Sequence, residues 1–185
     1  ANPAAVYMAA ETAGVRSGVT LGNVMFRDLA ATNRQADYIV ICPYEFRRSV
    51  FRLLVQRRLQ GLNVAVAPIG DIYNEFSYGI KDADAIKQFV GYAFHHWQGP
   101  PPQYVLLAGQ GSYDPRNNVE PAAAADVVPV HMGPSTFFWT ALDGWLARVN
   151  GSDTLVDVKM GRIAVATDIQ LSNVVNKIVQ YESLS

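Results

Sequence analysis

Three short runs of apolar residues limit what this chain can fold into: Tyr38-Ile39-Val40-Ile41, Asn63 to Ala67, and Tyr104-Val105-Leu106-Leu107-Ala108. Each has the length of a strand, and the first two are stopped by Pro43 and Pro68. Strands that are apolar at nearly every position have both faces buried, the pattern of a parallel sheet covered on each side. The intervening segments change period. Phe46, Val50, Leu53 and Leu54 share one helical face, Arg47, Arg48, Arg52, Arg57 and Arg58 fall largely elsewhere, and Gly61 is placed to end the helix. Asp82 can cap a second helix, whose apolar residues Ile86, Phe89, Val90, Ala93, Phe94 and Trp97 keep helical spacing up to the Gly99-Pro100-Pro101-Pro102 break. Strand alternating with helix predicts an α/β fold: a doubly wound, mostly parallel sheet with helices on both faces.

The remaining segments carry weaker signals. Residues 1–36 are rich in Ala, Gly and Thr and read as a lead-in, with a short strand expected over Gly18 to Phe26. Residues 37–185 form the α/β unit. Ile72 to Gly79 reads as a loop, and Asp114 to Phe137 as a surface excursion. Asn150-Gly151 sits between apolar stretches, which predicts a reversal or hairpin, and Val158 and Met160 alternate as in a half-buried strand. Thr167 with Gln170 forms a capping box ahead of a helix with Ile169, Val174, Val175, Ile178 and Val179 on its apolar face. The chain begins at Ala1 and stops just past that helix, as expected of a piece of something longer.

Charge and cysteine content exclude several function classes. The formal net charge is −1 and no Lys/Arg run occurs, so the field that attracts nucleic acid or an anionic membrane is missing. No apolar run approaches the roughly 20 residues of a membrane span. The single cysteine, Cys42, excludes an internal disulfide and a cysteine-rich zinc cluster. It ends an apolar strand directly before proline, where a small buried residue is the expectation and a nucleophile is not. His95 and His96 lie late in a helix, a favourable place for a cation, and His131 stands in the long loop. Gly109-Gln110-Gly111-Ser112-Tyr113-Asp114 follows a strand, where open α/β sheets bind ligands, yet it lacks the third glycine of a dinucleotide site and the lysine of a phosphate loop. A tight turn fixed by Asp114 and Arg116 is the simpler expectation. Asp143, Asp153 and Asp157, with Asn150, are candidate calcium ligands, because hard cations take oxygen donors; solvated turn residues are the alternative. Asn150-Gly151-Ser152 also satisfies the glycosylation triplet.

The ordered blocks Tyr38 to Pro43, Gln60 to Val64, Ile72 to Gly79, Tyr104 to Asp114, and Met160 to Val165 with Lys177 to Glu182 resemble the gingipain family of cysteine peptidases, including the sortase-like relatives of type IX secretion. The resemblance runs from about Val19 to Glu182. Two departures stand out: Gln110 occupies a position where relatives often have Asp, and Leu142-Asp143-Gly144-Trp145 replaces a more acidic, aromatic stretch. The resemblance implies the first half of a caspase-like domain, with the catalytic histidine and cysteine in a second subdomain. No residue here matches the family's His-Gly motif or its nucleophile block, so no catalytic residue is carried over. It further implies a secreted or cell-surface parent, a C-terminal catalytic subdomain as partner, and protein or peptide substrates reached through that subdomain. An inactive binding or scaffolding module is the competing expectation. Self-association through exposed apolar surface, with Phe137, Phe138 and Trp139 as part of it or else as core, is expected of the chain alone.

Overall fold

A computed structural model describes residues 26–116, 118–119, 126–135 and 138–184. The expected strand over Gly18 to Phe26, most of the lead-in, and Phe137 lie outside the described residues. Four parallel strands form the central sheet: β1 (Tyr38–Cys42), β2 (Val64–Pro68), β3 (Tyr104–Ala108) and the later strand Lys159–Ile163. Between β3 and that last strand lies a two-stranded antiparallel hairpin, β4 (Met132–Pro134) with β5 (Trp139–Ala141), so Lys159–Ile163 is β6. The sheet order is β2-β1-β3-β6. The chain steps outward from β1 to β2, then crosses back to place β3 on the other side of β1, which makes the sheet doubly wound.

Both sheet faces are covered, as the uninterrupted apolar runs require. Helix α1 (Arg47–Leu59) and helix α5 (Asp168–Glu182) cover one face, where Val40, Cys42, Leu106 and Ala108 meet Val50, Leu53, Leu54, Leu171 and Val175. Helices α2 (Ile69–Phe76) and α3 (Ala83–His96) cover the other, where Ile39, Ile41, Val105 and Leu107 meet Ile72, Ile86, Phe89 and Val90. Alternate residues of one strand thus feed separate cores, the period-two consequence of the pleat. Leu29 and Ala36 are buried in the second core, and Trp97 Nε1 donates to the Leu29 carbonyl at 2.9 Å, so the stretch ahead of β1 contributes packing as well.

Local signals set the helix ends. Asp82 accepts from the Asp84 amide at 3.0 Å, and Thr167 and Gln170 form both halves of a capping box. The end of α1 is a Schellman arrangement, with Gly61 N donating to the Arg58 carbonyl and Leu62 N to that of Arg57. Three expectations change. Ile72 to Phe76 belongs to helix α2, because Pro68 opens a turn that buries Ile69 and Ile72 together. The excursion from Asp114 to Phe137 contains strand β4, whose partner β5 follows just beyond it. Asn150-Gly151 joins no hairpin: short helix α4 (Asp143–Leu146) precedes it, and Asp157 gathers the loop by accepting the Val149 and Asn150 amides at 2.8 and 2.9 Å.

The α1–α5 layer is stitched by polar contacts along its seam. Ser49 donates to Asp168 at 2.5 Å, Arg52 to Asn176 at 2.6 Å, and Arg57 meets Glu182 through two hydrogen bonds of 2.7 and 2.8 Å. That fork holds the Glu182 carboxyl below the usual carboxylate range, through the hydrogen bond with Arg57 first and its charge second. A carboxyl with a depressed folded pKa stabilises above its unfolded value of about 4.3 and loses that contribution as pH falls through the folded value. Glu182→Gln should therefore lower stability by up to about 1 kcal/mol at neutral pH, given the pair's partial exposure. The gap to wild type should close on acidification below about pH 4. Chemical denaturation across that range checks it; a gap independent of pH would refute it.

Candidate functional site

In an open parallel sheet, ligands collect beyond the carboxyl ends of the strands, and here those ends are closed by a polar lattice. Its centre is Arg162 on β6. Arg162 grips Asp143 in a fork, Nε to Oδ2 at 2.7 Å and Nη2 to Oδ1 at 2.8 Å. Nη1 donates to the Gly109 and Val128 carbonyls at 2.8 and 2.7 Å, and Nη2 to that of Pro129 at 3.2 Å. One guanidinium thus fastens β6 to the end of β3, to the segment at 126–130, and to the start of α4.

The Gly109–Asp114 turn is packed against that same segment. A Cβ on Gly109, whose φ is 152°, would lie 2.7 Å from Val128 Cγ2, and one on Gly111 would run into the Val130 side chain. The glycines serve close packing, so no phosphate cradle is left open above them. Asp126 Oδ1 accepts the Ser112 amide at 3.0 Å, Ser112 Oγ accepts the Asp114 amide at 3.0 Å, and Asp114 Oδ2 accepts the Val119 amide at 2.7 Å. The loop is held by its own side chains, Asp114 among them. Asp126 Oδ2 also lies 3.0 Å from Lys81 Nζ, which donates to the Asp126 carbonyl as well. These groups border a hollow of about 440 Å³ lined by Pro43, Glu45, Pro68, Tyr73, Lys81 and Asp126. Burial pushes the Tyr73 phenol up, with the Asp126 and Asp82 charges adding to it.

The candidate nucleophile and bases are kept apart. Cys42 is fully buried on the α1–α5 face, and burial pushes its thiol up to about 12. His95 and His96 sit on α3, on the other face of the sheet. His95 Nε2 lies 2.9 Å from the Val149 carbonyl, and the His96 ring rests 4.6 Å from that of Tyr92. His131 stacks on Trp145 at 3.7 Å, with Lys87 Nζ 3.8 Å from the centre of the same indole. With the only thiol on one face and the α3 imidazoles on the other, no cysteine–histidine pair forms.

The three candidate calcium ligands are each engaged elsewhere. Asp143 is occupied by Arg162, Asp157 by two backbone amides, and Asp153 by the Leu155 amide at 3.0 Å. Among the described residues, no group of three or more His, Cys, Asp or Glu side chains is arranged to hold a metal ion. Asp143, Asp153 and Asp157 do not form such a group. Phe138 and Trp139 are exposed, at 67% and 68%, so of the expected apolar patch these two members face solvent. Arg162 and Asp126, the residues that organise this end of the sheet, were not singled out as site residues from sequence; a charged residue inside the apolar block Met160 to Val165 was the available signal.

Two outcomes test this geometry. Arg162→Lys should cost about 3 kcal/mol, because an ammonium cannot replace a planar fork and leaves buried carbonyls unpaired; a loss below about 1 kcal/mol in chemical denaturation would contradict the clamp. Cys42 should resist iodoacetamide in the native protein at about pH 8 and react at an ordinary thiol rate once unfolded. Equal rates in the two states would contradict the buried-thiol placement.

Known proteins place this architecture. No curated protein sequence matches the chain. A crystal structure of dimeric latent PorU from Porphyromonas gingivalis superposes with a TM-score of 0.67 at 23% identity, over 81% of this chain and 16% of that one. The complex of the pro- and mature domains of RgpB from Porphyromonas gingivalis gives 0.59 at 21% identity, over 78% of this chain and 28% of that one. These are likenesses of fold, and the chain spans well under a third of the length of either relative. The family profile of Peptidase family C25 matches residues 31–185, nearly all of the described fold. The doubly wound sheet is thus a gingipain-type, caspase-like α/β layer, and the chain belongs to peptidase family C25, the gingipain family.

Proposed function

We propose that this chain is the non-catalytic N-terminal subdomain of a gingipain-like cysteine peptidase, packing against and supporting a catalytic subdomain elsewhere in the parent protein. The observation that carries the reading is the separation of the chain's only thiol from the α3 imidazoles by the sheet, with the thiol buried and raised to about 12. A thiolate nucleophile needs a positioned base and donors for the developing anion, and Cys42 has neither. Membership in a peptidase family together with this geometry favours a supporting role over a catalytic one. The limits of the unit are drawn at 37–185, with 1–36 as lead-in.

On this reading the substrate is a protein or peptide, met through the catalytic subdomain, and the parent acts outside the cell or on its surface. No helix among the described residues is long and apolar enough to cross a membrane.

The purified chain should show no turnover of a mixed peptide library, and the parent protein should retain full activity when it carries Cys42→Ser. Fluorogenic peptide assays on both measure this. Turnover by the chain alone that disappears with Cys42→Ser would sink the proposal, as would loss of parent activity in that variant while its circular dichroism and melting temperature stay unchanged.

A further inference from the structure

Among the described residues, β2 is an edge strand, paired with β1 alone. The direction of its backbone groups follows from the ladder. The Asn63 carbonyl accepts from the Asp37 and Tyr38 amides, so residues 63, 65 and 67 turn their N–H and C=O toward β1. By alternation, those of Val64 and Val66 point away from the sheet. Pro68, next on the outward side, has no N–H to offer. Two donor–acceptor pairs are thus displayed in a row, the template that an added strand uses.

Alongside this edge runs a stripe of α1 and the turn before it: Tyr44, Arg48, Phe51, Val55 and Arg58, at helical spacing. Tyr44 is 61% and Phe51 57% exposed. A groove of about 800 Å³ lies between the stripe and Val66, with Glu45 as its single acidic lining residue against Arg47, Arg48 and Arg58. Helix α1 divides its arginines by flank. Arg52 and Arg57 are spent on α5, and Arg47 lies over the Tyr44 ring at 5.1 Å. Arg48 and Arg58 make no ion pair or hydrogen bond among the described residues.

We propose that the α1–β2 groove is a docking site for an extended acidic segment of a partner protein, added as a strand beside β2. Arg48 and Arg58 are ten residues apart, about 15 Å along the helix. A strand of five residues spans about 17 Å, so carboxylates near its two ends reach the two guanidiniums while an apolar side chain between them covers Phe51. A second copy of this chain fits less well, since pairing two β2 edges brings two arginine sets face to face. The site lies apart from the separation of thiol and imidazoles, so it stands or falls independently of the catalytic role of the parent.

Fluorescence anisotropy with a labelled, end-capped heptapeptide of alternating glutamate and valine tests this, beside its lysine-for-glutamate counterpart. The acidic peptide should bind the chain, more weakly as salt rises from roughly 0.05 to 0.3 M, and the basic one should not. Arg48→Glu with Arg58→Glu should weaken binding at least roughly tenfold, the effect of losing two charge-assisted contacts. Phe51→Ser should weaken it with no change in salt dependence. Because Arg48 and Arg58 are exposed and unpartnered, unchanged melting temperatures are the control for folding. Amide exchange of Val64 and Val66 should slow when the acidic peptide is bound. Equal binding of both peptides, unaltered affinity in the double variant, or unprotected Val64 and Val66 amides would each overturn the proposal. Concentration-dependent dimers that exclude the peptide would overturn it in favour of a second copy.

Discussion

The carboxyl end of this sheet is organised around one guanidinium, half-buried with its side chain 11% exposed. Arg162 satisfies a carboxylate and three backbone carbonyls, adding to the backbone bonds that join these segments, from Gly109 N to the Ile163 carbonyl and from the Val127 and Val128 amides to that of Gln110. A buried cation is costly unless each of its donors is matched, and here the planar fork of arginine finds Asp143 on one side and a rim of carbonyls on the other. The glycine turn after β3 lies flat against Val127, Val128 and Val130, a segment held by Arg162, by the Gln110 carbonyl and by the Lys81–Asp126 pair. Above β3 and β6 the end of the sheet that many α/β proteins keep open for a ligand is therefore filled by the protein itself, while beside Pro43 and Pro68 a hollow of about 440 Å³ remains.

Parity along the strands decides the chemistry. Cys42 shares its face with Val40, two residues earlier, and so joins the core under α1 and α5. The histidines of α3 belong to the helix that covers the opposite core, the one holding Ile39 and Ile41. A one-residue shift of β1 would exchange every side chain between the two cores, so the burial of the thiol is tied to the register of the whole strand. The same alternation sends the backbone groups of Val64 and Val66 outward, along an edge that pairs with no further strand among the described residues.

Much of this was legible in the amino-acid order. The apolar runs announced β1, β2 and β3, Gly61 and Asp82 marked helix ends through short-range bonds, and the Thr167–Gln170 pair is a reciprocal contact three residues long. What could not be read depends on partners far away in the chain. Helix α2 has a short apolar face that makes sense only against α3, and the β4–β5 hairpin is three residues a side. Asp143 looked like a free oxygen donor because its guanidinium partner stands 19 positions on, and Asp157 because its acceptance of the Val149 and Asn150 amides is a feature of loop shape. The one local sign of Arg162 is its charge inside the apolar block Met160 to Val165, which does not say which distant carbonyls it meets.

The position of Arg162 in the chain has a consequence for the order of events in folding. Its carbonyl partner at Gly109 lies 53 positions earlier, and the acceptors at Val128, Pro129 and Asp143 also precede it. Everything between β3 and β6 is therefore translated before the group that fastens it exists. Closing a loop of this length costs entropy, and contacts with earlier elements offset part of that cost before β6 docks: Val127 and Val128 donate to the Gln110 carbonyl, Lys81 pairs with Asp126, and Lys87 lies over Trp145. Strand β6 thus acts as a latch: the five hydrogen bonds of Arg162 draw the end of β3, the carbonyls at Val128 and Pro129, and Asp143 at the start of α4 onto one guanidinium.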